Sequence, residues 1–295
     1  MEKLQRILAS GSLSESHRRQ LLEVLELIAQ GQTDIVKRLQ RKAWETLEIS
    51  ADLRNISLRN FEPARRIPPM DEFMLSRKYM NRRETYPRIM DIMMAADDPT
   101  VREVYICAGK GVGKSHICSG LLSRGAFILN SYPAVREIYH TAPGVFILML
   151  NMSISATEAQ GVIFQELKSM IKYSACFANA QINTRDIRFP NDVLAVCGHS
   201  GYQAFYGFNI FYGCVDEASH FDETPDHDVA QEIAQGIRAS QITRFPLDYK
   251  FIAISSPRDE SDFLVRNLNE IKTRGQAVKI FRGDSDSDMS PLTVH

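Results

Sequence analysis

No stretch of the 295-residue chain approaches the roughly 18 consecutive apolar residues of a membrane span, and the opening MEKLQRILASGSLSESHRRQ is too polar for a secretory signal. A cytosolic protein with no membrane partner is therefore the expectation. Charge of one sign is not in excess either: 35 Lys and Arg face 36 Asp and Glu, a formal net charge of −1. That balance excludes a polycation coating nucleic acid with its whole surface and leaves any such contact to a local patch. Cysteine is sparse and unpatterned. Cys107, Cys118, Cys176, Cys197 and Cys214 are odd in number and form no CxxC pair, so they read as buried free thiols and not as a zinc site or disulfide framework. No internal repeat recurs at a fixed period. What is present is a composition 44% hydrophobic and 24% charged, enough to bury a core and exclude wholesale disorder, in a length that allows two domains at most.

Leu21, Leu22, Leu25 and Ile28 fall at helical spacing between Ser14, a plausible N-cap, and Gly31, a plausible stop. A second helical pattern follows through Ile35, Val36, Leu39, Ala43, Trp44 and Leu47. The prolines of FEPARRIPPM (61–70) interrupt it, which predicts a small helical subdomain over 1–64. From Val101 the pattern changes. Strands are predicted over 101–108, 145–150, 210–215 and 249–255, a hairpin from 187–189 and 193–198, and helices over 114–129, 155–177 and 229–239. Such alternation predicts an α/β domain over 65–283, a mainly parallel sheet with helices on both faces. In the tail GDSDSDMSPLTVH, Asp284, Asp286 and Asp288 alternate as in a calcium loop, but Met289 stands where glycine is required and no glutamate closes it. Residues 284–295 are read as an acidic linker.

AGKGVGKS (108–115) lies between a predicted strand and a predicted helix. A phosphate-binding loop needs glycines because its backbone curls around an anion with successive N–H groups pointing inward, at the positive end of the next helix. Ala108, Gly109, Lys110, Gly111, Val112, Gly113, Lys114 and Ser115 form this candidate ATP cradle, with alanine at the position where the usual pattern has its first glycine. Lys114 would reach the β- and γ-phosphates, and the Ser115 hydroxyl would ligate Mg²⁺. Downstream, NIFYGCVDEAS (209–219) is an apolar strand ending in two carboxylates. Asp216 would hold the Mg²⁺ shell and Glu217 would act as general base toward the attacking water. A third buried strand, in FIAISSPRDESDFL (251–264), ends in Ser255 and Ser256, at the sheet edge where open α/β sheets bind ligands. These hydroxyls could sense hydrolysis.

The order, spacing and flanks of these motifs resemble the ATPase domain of tailed-phage and herpesvirus-type terminase large subunits, over about residues 65–283. The resemblance implies a P-loop NTPase of RecA/ASCE-like type. It implies a second basic phosphate contact from Lys110 and a coupling role for Ser255 and Ser256 ahead of an aromatic-containing helix. It also implies an upstream adenine contact in RRETYPRIMDIM (82–93), with Tyr86 as the base-stacking candidate and Arg88 where glutamine is usual. The implied function is an ATPase motor translocating double-stranded viral DNA into a prohead. Its implied partners are the portal protein and a small terminase subunit, and its place is the host-cell cytoplasm, as a homo-oligomeric ring when assembled or a monomer in isolation. Arg185, Arg188, Arg238 and Arg258 are candidates for an arginine delivered to the γ-phosphate. Complete large subunits carry a nuclease after the motor, so the expectation is either an excised motor domain, which is the preferred reading, or a nuclease carried by a separate protein. Two alternatives stay open. DEASH (216–220) is superficially similar to a helicase box, although Ser219 stands where that box has histidine, and a nucleotide-binding regulatory protein would keep the loop without turning ATP over.

Overall fold

The computed structural model describes residues 56–109, 111–155, 161–199, 207–221, 223–224, 227–256, 263–264, 266–267, 278–283 and 289–293. All belong to the second of two units into which the chain divides, Ile56–His295. The helical patterns expected before residue 48 lie outside the described residues.

The strands are β1 (Glu103–Ala108), β2 (Ile147–Ser153), β3 (Gln181–Ile182), β4 (Asp186–Phe189), β5 (Val193–His199), β6 (Asn209–Val215), β7 (Glu223–Thr224), β8 (His227–Asp228), β9 (Lys250–Ser255), β10 (Val278–Gly283) and β11 (Met289–Thr293). All but the β7–β8 pair form one sheet in the order β11-β10-β1-β9-β6-β2-β5-β4-β3. The run from β10 to β5 is parallel, while β11 at one edge and β4 and β3 at the other are antiparallel. The helices are α1 (Met70–Leu75), α2 (Pro87–Asp97), α3 (Lys114–Asn130), α4 (Val135–Ile138), α5 (Val162–Lys172) and α6 (Val229–Arg244).

Every residue of β1, β2, β6 and β9 is buried, the mark of parallel strands covered on both faces, which is why these segments read as continuous apolar runs. Two consecutive residues of β6 show which helix covers which face. Gly125 of α3 faces Tyr212, whereas Gly213 faces Ile237 of α6. Neighbours in a strand point to opposite faces, so α3 and α6 lie on opposite sides of the sheet. On the α3 side a further layer forms from α2 and α5. A Cβ on Gly120 would stand 2.6 Å from Met93 of α2, and Ser119 Oγ donates to Ile163 O of α5 at 3.0 Å.

Charged groups pin the edge of the sheet where the parallel strands begin. Arg124 grips both oxygens of Asp97, at 3.0–3.2 Å. Asp248 accepts from Ser57 Oγ, Leu58 N and Tyr139 Oη at 2.8, 2.9 and 2.8 Å. These contacts correct the boundary expected at 64/65: residues 57 and 58 are bound into the sheet domain, which begins at Ile56. The tail differs from expectation too, because Met289–Thr293 is an edge strand paired with β10 and not a bare linker. Its alternating acids masked a short strand whose partner hydrogen bonds come from β10.

Two substitutions probe this packing. Gly125→Ala gains about 1 kcal/mol of helix propensity, but the new Cβ would lie 2.6 Å from Tyr212 and 2.9 Å from Met149, both buried on central strands. Overpacking of that kind costs about 1–3 kcal/mol, so urea denaturation should find the variant less stable despite the better helix former. Lys250 is buried and donates to Asp98 O and Val101 O at 3.0 and 2.9 Å. Burial lowers its ammonium to about 8, with Asp97 opposing the shift. Since the folded state then binds fewer protons than the unfolded one between about 8 and the ordinary lysine value near 10.4, stability gains from this residue as pH rises through that window. The full cost, on the order of 3 kcal/mol, is present below it. The stability of the wild type minus that of Lys250→Met should therefore increase between pH 7 and pH 10; a constant difference would show that the ammonium is not desolvated.

Candidate active site

β1 ends at Ala108 and α3 starts at Lys114. The turn between them requires glycine at two places, since Gly111 and Gly113 have φ of 83° and 86°. At Gly113 space is also closed, as a Cβ would meet Ile89 of α2 at 2.3 Å. Ser115 lies in the first turn of α3, and Lys110 lies outside the described residues. Lys114 is buried to 7% exposure and turns back over its own loop, donating from Nζ to Ala108 O at 2.7 Å, Gly109 O at 3.0 Å and Ser256 Oγ at 3.1 Å.

The acidic pair arrives from two strands away. β9 lies between β1 and β6, with Cys107 opposite Ser255 and Val215 opposite Ala253. The strand carrying the two serines thus ends between the glycine turn and the carboxylates. Asp216 continues beyond β6, its N–H donating to Met152 O at 2.8 Å. Glu217 has φ 50° and ψ 44°, the left-handed region, which costs a residue with a side chain on the order of 1 kcal/mol or more. In that conformation its Oε2 accepts from Ser255 Oγ at 3.3 Å and from Ser256 N at 3.2 Å, with His220 Nε2 at 3.6 Å. Ser255 Oγ in turn accepts from Ser219 N at 3.2 Å. Ser256 therefore touches both Lys114 and Glu217, and the expected convergence of the three motifs is a chain of hydrogen bonds.

The remaining candidates are spread more widely. Tyr86 occupies the position just before α2, without a side-chain cap hydrogen bond, and is 73% exposed. Arg185 and Arg188 sit on the hairpin around β4, five strand steps from β1, or roughly 24 Å at about 4.8 Å per step. Arg238 is unsuited to meeting a γ-phosphate. It is buried on the α6 face, stacked 4.2 Å over Phe251 and bound to Tyr105, Glu103 and Asn267. Arg258 lies outside the described residues.

Sequence reasoning missed His116, whose ring joins Thr85 Oγ1 at 2.9 Å to Glu166 Oε1 at 2.6 Å. Its place next to Ser115 was the available signal. Its partners are 31 and 50 residues away, so nothing local pointed to them.

The comparisons agree with this geometry. A family model described as "Uncharacterized protein MJ0330, N-terminal P-loop domain" matches residues 57–285. Among solved structures, the HK97 bacteriophage large terminase is similar with a TM-score of 0.50 at 14% identity, over 70% of this chain and 40% of that one. The ATPase domain of the Thermus phage P74-26 large terminase, in a mutant form, gives 0.46 at 15%, over 66% and 72%. A search of curated proteins finds no match. This chain thus spans less than half of the HK97 protein, and at these identities the likeness speaks for the fold. A glycine turn closed by its own lysine, at the end of a strand flanked as β1 is here, is the arrangement of a P-loop NTPase, and the chain belongs to the family described as the N-terminal P-loop domain of MJ0330, with a fold similar to that found in the HK97 bacteriophage large terminase.

Proposed function

We propose that this domain hydrolyses ATP and uses the cycle to move double-stranded DNA, as the motor part of a terminase large subunit packaging viral DNA into a prohead. The observation that carries the reading is the contact of Ser256 with Lys114 on one side and Glu217 on the other. A phosphate oxygen at the loop would compete for the Nζ donors of Lys114, and any change at Lys114 or Glu217 bears directly on Ser256. The position of Ser256 at the end of β9 is thereby linked to the state of the nucleotide.

The donor set fits Mg²⁺. Ser115 and Asp216 offer a hydroxyl and a carboxylate, hard oxygens of the kind Mg²⁺ takes. This suits a cation held by one or two protein oxygens together with substrate phosphates. When bound, Mg²⁺ would neutralise charge on the phosphate oxygens. Glu217, held by two donors beside the lysine, would orient and deprotonate the attacking water.

The working assembly we propose is a homo-oligomeric ring on the portal protein, with a small terminase subunit as a further partner, in the host-cell cytoplasm. Arg185 and Arg188 stand too far from their own β1 to serve its phosphates, so of these two either would act only on a neighbouring subunit. A helicase reading has less support, since Ser219 and not a histidine completes the four-residue box. A purely regulatory nucleotide-binding protein would have little need for the strained Glu217.

Steady-state ATPase assays test the reading. Lys114→Ala and Glu217→Gln should each lower kcat by about 100-fold or more, as expected on losing a charge-stabilising donor or a general base. Glu217→Gln should still bind nucleotide. Unchanged rates in both variants would end the catalytic assignment. DNA should stimulate turnover without sequence preference, and the stimulation should fall steeply between about 50 and 200 mM salt, because phosphate contacts release counterions. A salt-independent response would count against DNA as the track.

A further inference from the structure

On the reading that the glycine turn holds a nucleotide's phosphates, we infer that His116 is a positioning residue for the nucleoside base. It ties the turn bearing Tyr86 to the helix bearing Lys114 and Ser115, and thereby selects nucleoside phosphates over base-free polyphosphates.

Tyr86 is a large ring left 73% exposed on a backbone that is firmly held. Pro87 fixes the first turn of α2, and Tyr86 O accepts from Met90 N at 3.0 Å. The preceding residues are anchored to two other helices. Arg82 N donates to Met74 O of α1 at 2.7 Å, and Arg82 Nη2 reaches Ser169 Oγ of α5 at 3.4 Å. Thr85 is buried, and its hydroxyl donates to Arg82 O at 2.9 Å while meeting His116 Nε2. The other ring nitrogen of His116 meets Glu166 of α5. One imidazole in the first turn of α3 thus holds the Tyr86 turn from one side and α5 from the other.

The distance between ring and loop is short. Ile89 packs on Gly113, and Tyr86 precedes Ile89 by three residues, a rise of about 4.5 Å along the helix. The base of a nucleotide whose phosphates sit over Gly113 would therefore fall within reach of the tyrosine face. The helices keep this spacing along their length, because they run parallel and touch at three levels. Ile89 meets Gly113, Met93 meets Gly120, and Asp97 pairs with Arg124. Ring and loop therefore belong to one rigid pair of helices, and His116 closes the end of that pair nearest the ligand.

Isothermal calorimetry on the full chain with magnesium tests this, using ADP and inorganic pyrophosphate as probes. Pyrophosphate occupies a phosphate loop but offers no base. Tyr86→Ala and His116→Ala should each weaken ADP binding about tenfold, the scale of one lost base–aromatic stack, and leave pyrophosphate within about twofold. Thr85→Val, which removes only a hydroxyl, should shift ADP in the same direction and protects the test against a misfolded His116 variant. The double variant Tyr86→Ala/His116→Ala should be no weaker than either single one, since both remove the same contact. Equal loss for both ligands in His116→Ala would overturn the inference by placing the effect on the phosphate loop. Unchanged ADP affinity in that variant, or fully additive losses in the double variant, would overturn it as well. Failure of the wild type to bind either ligand would instead sink the nucleotide-site reading itself, and this inference with it.

Discussion

The arrangement depends on where β9 sits. By entering the sheet between the strand that leads into the glycine turn and the strand that leads into the acidic pair, it delivers Ser255 and Ser256 to the one place from which both can be touched. Hydrogen-bond reach then does the rest. The Ser256 hydroxyl meets Lys114, and its backbone N–H meets Glu217. Were β9 at a sheet edge, the lysine and the glutamate would be adjacent with nothing between them to report their state. The left-handed backbone at Glu217 belongs to the same constraint. Strain at a non-glycine residue persists only where its surroundings over-determine it, and Ser255 and Ser256 hold the carboxylate in place.

Holding those strand ends in register requires a core that does not yield, and the sequence supplies it through small residues at helix–sheet contacts. Gly125 on α3 and Gly213 on β6 let helices approach opposite faces so closely that a methyl group would overlap a neighbour at either position. At the far edge of the sheet, polar groups fix the strands' starting points. Lys250 holds two carbonyls near the start of β1, and Asp248 gathers Ser57, Leu58 and Tyr139. Burying an ammonium is unfavourable by itself. It is tolerated because the two carbonyls replace water as hydrogen-bond partners of the ammonium.

Much of this was legible in the sequence, for identifiable reasons. Strands buried on both faces spell continuous apolar runs, so β1, β2, β6 and β9 were found within a few residues of their ends, and a phosphate loop must show its glycines. The hairpin of β4 and β5 was found within a residue of its ends, and the terminase resemblance led to the right fold. The misses share a cause. Helix α1 is only six residues long and follows two prolines, so little local pattern marks it. β11 takes its hydrogen bonds from β10, so an acidic stretch with a proline read as linker. Arg238 looked as available as any arginine, because nothing in its neighbourhood announces that Tyr105, Glu103 and Asn267 will close around it. The chain Thr85–His116–Glu166 joins three segments that only the fold brings together.

The parallel pairing of α2 with α3 bears on how the two sides of the site are held. At one end of the pair stand the phosphate loop and Tyr86. At the other the Arg124–Asp97 pair is almost fully buried, and a buried ion pair resists separation because either partner left alone costs several kcal/mol. A body locked at both ends does not bend in response to a ligand; it moves as a whole or serves as the fixed frame. The Glu217 side of the site is built differently, with a strained backbone held by hydrogen bonds of 3.2–3.3 Å from a strand end. The two sides of the site are thus held by different means, an interlocked helix pair at the glycine turn and hydrogen bonds from Ser255 and Ser256 at Glu217. On the proposed reading, a change in the nucleotide would act on Ser255 and Ser256 at the end of β9, while α2 and α3 frame the glycine turn.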